Sequence, residues 1–524
     1  MAEESVERLF ERYGPSYRWF VTIAGLLGAF AMVLSATIVN VAVPNVMGAF
    51  GVGQDEAQWM ATAFIATMTA SQLLNAWVVA ALGQRVAFLC TLSVFMVGTM
   101  ISTTAQTMDL LIVGRIMQGS AAGVVQPLVM VTIFQVFPAD RRGLAMGIYG
   151  TGVVMAPAIG PAMGGMMIDM FSWRHMFLMP LPFVVVAFLM GAVFMPGKTR
   201  RGPLPRFDWA GYILLCAAVF LLMTAVAAGP REGWLSDKVL LEFIAGSAAA
   251  AGFIATQLRG RAPILDCTLF RNFKFASAAS VAFVFGAGNF GSTYVIPVFV
   301  QAVQGYTATR AGMVILPAGL MLVALLPITG RLADKLPDHV PVLAGLSFFA
   351  FGMALMVTSD VNTPFWTFAF FAIVGRIGLA FILPSLNAAA LRALPSDQLN
   401  KGSGALNFVR QLGGATGTNL IVVWLQIRTQ WHADTLTATQ TADNHTVRDF
   451  LDKVGSSYEG AGLPRSLGDP LALDYLGRVV YAQAQTMGYQ DSFLILAAVF
   501  VLALPLAWVL GRARRPAPAM APAE

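Results

Sequence analysis

The chain has 524 residues, of which 57% are hydrophobic and only 11% charged, with a mean hydropathy of +0.70. A soluble domain carries about a quarter charged residues, so most of this surface cannot face water, and disordered, collagen-like and disulfide-stapled classes are excluded. The formal charge of +6 comes from dispersed basic residues, a topology signal in a membrane protein rather than a patch for nucleic acid. Cys90, Cys216 and Cys267 lie in or beside apolar stretches without paired spacing, which argues against a disulfide framework and a metal site.

Residues 1–17 form an amino-terminal segment in which Glu3, Val6, Leu9, Phe10 and Tyr13 are spaced as a short amphipathic helix over 3–13, a flexible tail being the alternative. Runs of roughly 20 apolar residues, the length of a membrane-spanning helix, then follow near 18–44, 57–81, 86–105, 109–136, 143–168 and 174–195. Two more lie near 209–229 and 238–257, and six near 276–303, 311–330, 340–358, 364–391, 402–428 and 491–511. The expectation is an all-α polytopic membrane protein of about fourteen transmembrane helices. The first run is too long for a cleaved secretory signal and is expected to remain. Residues 429–490 read as a polar loop; the spacing of His432 and His445 in it suits solvated residues and no metal.

If the spans alternate, Arg8, Arg12, Arg18, Arg85, Arg141, Arg142, Lys198, Arg200, Arg201, Arg331, Lys335, Arg392, Lys401 and Arg512 share one side. Asp55, Glu56, Asp109, Asp169 and Asp360 share the other. Lysine and arginine stay in the cytoplasm, so both termini are expected there, in the cytoplasmic (inner) membrane, which requires an even number of spans.

The pentapeptide Ile-Val-Gly-Arg-Ile occurs at 112–116 and again at 373–377. A weaker echo links Gly83-Gln84-Arg85 with Gly330-Arg331-Leu332-Ala333-Asp334-Lys335. Both relate the first six spans to the last six. The expected organisation is a six-helix bundle over 18–197, an inserted pair over 207–258, a second bundle over 275–511 that carries the 429–490 loop, and a tail over 512–524. Internal repeats of this kind are common in transporters, with the substrate path at the repeat interface.

Arg115 falls about 9 Å below the outer end of its span at 1.5 Å per residue, where a cation without water or a partner is costly and marks a functional hypothesis. Gln118 and Gly119 share its helix face; the alternative is an arginine that only bonds backbone carbonyls. Its repeat mate Arg376 is followed by Gly378, Leu379 and Ala380, so the halves differ and Arg376 reads as structural. Span five holds Pro157, Gly160, Pro161, Gly164 and Gly165, a density that permits kinking and close helix contact and suits a pivot more than a plain packing helix. Arg410 and Gln411 open span thirteen beside Asn407. Asn40, Gln72, Asn289, Asn387 and Asn407 could present polar groups to a substrate cavity, although each alone is more often a packing hydrogen bond. There is no His-Glu-x-x-His, phosphate loop or nucleophile elbow, so no enzyme, no cofactor and no ATP are indicated.

These motifs resemble the major facilitator superfamily, specifically the fourteen-helix drug:proton antiporters of the EmrB/QacA type. Thr37 to Pro44 is similar to the family's first-helix signature, Arg115 to Gly119 to its fourth-helix motif, and Gly160-Pro161 with Gly164-Gly165 to its antiporter motif. Gly330, Arg331 and Asp334 sit in a segment similar to the cytoplasmic gating motif, and Asn407 to Gly417 resembles its Arg-Gln-Leu-Gly-Gly segment. The resemblance implies a six-plus-two-plus-six fold and efflux of amphipathic drugs or toxic compounds in exchange for protons. It also implies a polar centre at Arg115 and, in double-membrane bacteria, a periplasmic adaptor and outer-membrane channel as partners. Two departures stand out: Leu34-Ser35-Ala36 lacks the acid usual in helix one, and Ala80 to Arg85 lacks that of the first gating motif. A dedicated exporter of one metabolite or lipid-like compound, and a transport-inactive sensor or scaffold, are the alternative functions.

Overall fold

The computed structural model describes residues 6–197, 206–260, 263–441 and 443–512. Among them are nineteen α-helices and no strand. The amphipathic helix expected over 3–13 is observed as α1 (Val6–Tyr13), with Leu9 buried and Phe10 edge-on to Tyr17 at 4.9 Å. Glu3, Lys198, Arg200, Arg201 and the tail beyond Arg512 lie outside the described residues.

The first half contains α2 (Tyr17–Ile38), α3 (Val43–Phe50), α4 (Gln54–Ser71), α5 (Leu74–Leu82), α6 (Gln84–Thr104), α7 (Met108–Val136), α8 (Arg142–Met170) and α9 (Leu181–Phe194). An inserted pair follows, α10 (Trp209–Glu232) and α11 (Asp237–Arg259). The second half contains α12 (Phe273–Ala302), α13 (Ala308–Lys335), α14 (His339–Met356), α15 (Phe365–Arg392), α16 (Leu399–Ala438), α17 (His445–Gly460), α18 (Arg465–Leu502) and α19 (Leu504–Arg512). Side chains start several of these helices. Thr107 accepts from the Leu110 amide at the head of α7, and Asn272 from the Lys274 and Phe275 amides at the head of α12, satisfying donors that a helix start leaves open. Gly83, at φ 79°, makes the abrupt turn between α5 and α6 that a side-chain-bearing residue rarely adopts.

Among the described residues, eleven helices are long and apolar enough to cross a membrane, and twelve if α4 and α5, bent by 62°, count as one broken span. The break lies at Gln72–Leu73. The expected fourteen also included α16, whose 40 residues carry Asn407, Arg410 and Gln411 among the apolar ones, and α8, whose 29 residues include side chains outside the described residues; neither is among the helices found by this test.

Residues 429–490 differ most from expectation. Apart from short breaks near 439–444 and 461–464, the described residues of this stretch are helical, because α16 and α18 continue beyond their apolar parts and α17 packs against α18. Polar composition announced solvent there and hid the helices. His432 is 6% exposed and bonds Asp491 at 2.8 Å, beside Arg428, so it is no solvated loop residue.

Candidate functional site

Arg115 projects from α7 into the middle of the first half and is fully buried. It donates Nε–H to the Met60 carbonyl of α4 (2.8 Å) and Nη1–H to the Ser35 hydroxyl of α2 (3.0 Å) and the Gln118 amide oxygen (2.8 Å). The Phe64 ring lies 4.2 Å from the guanidinium carbon, an attractive cation–π geometry. Gln118 in turn donates to the Thr99 hydroxyl of α6 at 2.9 Å, which orients its oxygen toward the arginine. Nη2 is buried without a partner. Four helices therefore converge on one cation through neutral groups. Gly119 makes this possible: a Cβ there would lie 2.2 Å from Thr67 Oγ1 and 2.4 Å from the Phe64 carbonyl oxygen.

Arg376 occupies the matching place on α15. It donates to the Asn289 amide oxygen and the Thr293 hydroxyl of α12, both at 2.8 Å. Asn289, considered from sequence as a cavity residue, is thus an arginine partner. Asn387 is 1% exposed with Nδ2 buried and unpaired.

The two halves meet through α5, α7 and α8 on one side and α13, α15 and α16 on the other. At the face where α5 ends and α8 and α16 begin, Asp334 crosses this seam. Its two carboxylate oxygens accept from the Gly143 amide (2.6 Å) and the Leu144 amide (2.9 Å), capping the first turn of α8. A carboxylate suits the positive end of a helix dipole and its unsatisfied N–H groups. Arg392 holds Asp334 at 2.7 Å and Asp338 at 3.0 Å. Gly330 and Gly143 are pressed together, since a Cβ on Gly330 would lie 2.6 Å from the Gly143 carbonyl oxygen; Arg331 is exposed. Asn75 adds a second crossing bond, to the Asn400 carbonyl at 3.2 Å, and a Cβ on Gly404 would lie 2.7 Å from the Gln72 carbonyl oxygen. Gln72 is itself fully buried with neither side-chain atom paired.

Deeper in the seam, Asn407 donates to the Ser403 carbonyl (2.9 Å) and to Met130 Sδ of α7 (3.3 Å), and accepts from Arg410. The Tyr149 hydroxyl of α8 donates to the Gln126 carbonyl of α7 at 3.4 Å, and Gln411, next to Arg410 on α16, is buried. On α8, a Cβ at Gly160 would lie 2.5 Å from Thr37 Oγ1 and one at Gly164 2.6 Å from Ile38 Cγ1, so these glycines fit the end of α2 closely. Pro157 and Pro161 lie within α8, which runs unbroken past Gly165 to Met170. Asn40 sits in the turn Val39–Ala42, with its side chain outside the described residues. Ser35, Thr99, Tyr149 and Arg392 were not expected as partners. Each is an ordinary residue in sequence, and only the packing of distant helices reveals its role.

A family model described as Major Facilitator Superfamily matches residues 25–418. The chain belongs to this superfamily. An uncharacterized major facilitator transporter of Bacillus subtilis, YhcA, is 27% identical over 90% of this chain and 88% of its own. The multidrug export protein EmrB of Escherichia coli is 27% identical over 93% and 94%. Among solved structures, the human organic anion transporter MFSD10 superposes with a TM-score of 0.60 over 94% of this chain and 99% of its own, at 13% identity, a likeness of fold alone. This superfamily member is a multi-pass membrane transporter and not an enzyme.

Proposed function

We propose that this transporter exports amphipathic drugs or toxic compounds across the cytoplasmic membrane by alternating access, in exchange for protons. Residues 18–197 and 275–511 act as the two rocking halves, with the pair over 207–258 attached at one side. The observation that carries the reading is the Asp334 clamp: two halves bound at one face by a carboxylate on a helix start and by touching glycines can separate without unfolding either half. With the basic face cytoplasmic, the clamped arrangement is the outward-facing state. The similarity to EmrB supports multidrug export, and in a double-membrane cell the reading extends to a periplasmic adaptor and an outer-membrane channel.

Arg115, Gln118 and Gly119 form the polar centre of the moving first half, and Arg410 and Gln411 that of the seam. Pro157, Gly160, Pro161, Gly164 and Gly165 serve as the pivot against α2, and Gly330, Arg331 and Asp334 as the cytoplasmic gate. Ser35 stands where the usual acid is missing and binds Arg115 instead, so the proton is carried elsewhere than helix one. Expression in a pump-deficient host, challenged with chemically varied toxicants, tests the reading. Resistance to several unrelated compounds is expected. Resistance to one compound makes the protein a dedicated exporter, and none, with the protein present in the membrane, refutes export. Loss of transport in proteoliposomes when the pH gradient is collapsed is the expected sign of proton exchange.

A further inference from the structure

Among the described residues, three arginines are buried inside the two halves. Arg115, Arg376 and Arg410 are 0%, 7% and 8% exposed, and their hydrogen-bond partners are all neutral: a carbonyl, hydroxyls and amide oxygens. Among the described residues, the carboxylates in ion pairs lie elsewhere. Asp334 and Asp338 hold Arg392 and Asp266 holds Lys401 near the basic face, while Asp491 holds Arg428 and His432 toward the other. Glu242 lies in α11, outside both halves, with Oε2 buried and unpaired.

A guanidinium cannot shed its proton to escape burial, and a charge inside a bilayer without a counter-charge is expensive unless it serves a pathway. Three such charges leave a positive potential in the spans at every physiological pH. Arg410 is the one placed where the halves meet. It is eleven residues into α16, about 16 Å along the helix at 1.5 Å per residue, which is half the depth of a hydrocarbon core about 30 Å thick. Substrate sites of repeat-built transporters lie at this depth and on this interface.

We propose that the compounds carried are amphipathic organic anions, an apolar body ending in a carboxylate or sulfonate, whose head is received by Arg410. Guanidinium offers two parallel N–H groups that match such a head. Arg115 and Arg376 hold the surrounding potential positive. This deepens the export reading by giving its substrates a charge.

The test uses the full-length purified protein and two probes with one fluorophore, pyrenebutyrate and pyrenebutyl-trimethylammonium. Without any gradient, the carboxylate should bind about tenfold more tightly than the ammonium. Arg410→Gln should erase this preference and Arg410→Lys retain part of it. Ser35→Asp, which sets a carboxylate beside Arg115, should weaken pyrenebutyrate binding several-fold and leave the ammonium unchanged or tighter. Equal affinities in the wild type overturn the inference. So does Arg410→Gln protein that elutes as the wild type and keeps the preference. Should that variant not fold, unchanged selectivity in Ser35→Asp overturns it instead. Selective binding without transport in proteoliposomes refutes export while upholding the anion site. Equal transport of both probes refutes the anion site while upholding export.

Discussion

Arg115 and Arg376 sit in two copies of the same pentapeptide, yet their surroundings have diverged. Arg115 is gripped by three other helices, α2, α4 and, through Gln118, α6; Arg376 is held by two residues one turn apart on α12. Four positions further on, the first copy has Gly119, against which α4 packs backbone to side chain. The second has Ala380, whose carbonyl accepts from Thr329 of α13 at 2.7 Å. The pairing of spans survives in both halves while the polar hub survives in only one. A duplicated framework can therefore keep its helix contacts and assign its chemistry unequally.

The largest expected effect comes from removing each hub. Arg115→Ala should reduce initial transport rates in proteoliposomes by about a hundredfold or more, and Arg376→Ala by less than about tenfold, with elution profile and thermal midpoint reporting that both proteins fold. Equal losses would erase the distinction between the halves. Next is Gly119→Ala. Its Cβ would enter the space of the Phe64 carbonyl and Thr67 hydroxyl, an overpacking that costs about 2–3 kcal/mol, read as a lower thermal midpoint. Leu379 occupies the place of Gln118 in the second half and is fully buried. Leu379→Gln should cost about 2 kcal/mol by burying an amide that lacks the Thr99 counterpart, and it should not raise transport. The smallest change is Ala380→Gly, near 1 kcal/mol from helix propensity alone, because Ala380 makes no approach that needs a glycine.

Composition and apolar run length made the membrane-spanning helical fold readable, and the pentapeptide suggested its division into two halves. Among the motif residues, Arg115 lies beside Gln118 and Asp334 lies at the seam. What stayed hidden depends on contact between distant segments. Ser35 looked like a missing acid, and its bond to Arg115 needs the packing of α2 on α7 to exist. Arg376 and Asn289, 87 residues apart, were noted separately and turned out to be one unit. The bend at Gln72–Leu73 has no proline to announce it, and helix in 429–490 was masked because polar residues mark water more strongly than they mark a loop.

The length of α16 carries a mechanical consequence. Forty residues at 1.5 Å each make a rod of about 60 Å, twice the hydrocarbon core, and the 38-residue α18 packs against it. Half of that rod therefore stands clear of the lipid as an arm rigidly joined to the second half. When the halves rock, an arm of about 30 Å turns a tilt of about 10° into a tip displacement of roughly 5 Å. A spin label or fluorophore near Ala438 can then follow the transport cycle from outside the membrane.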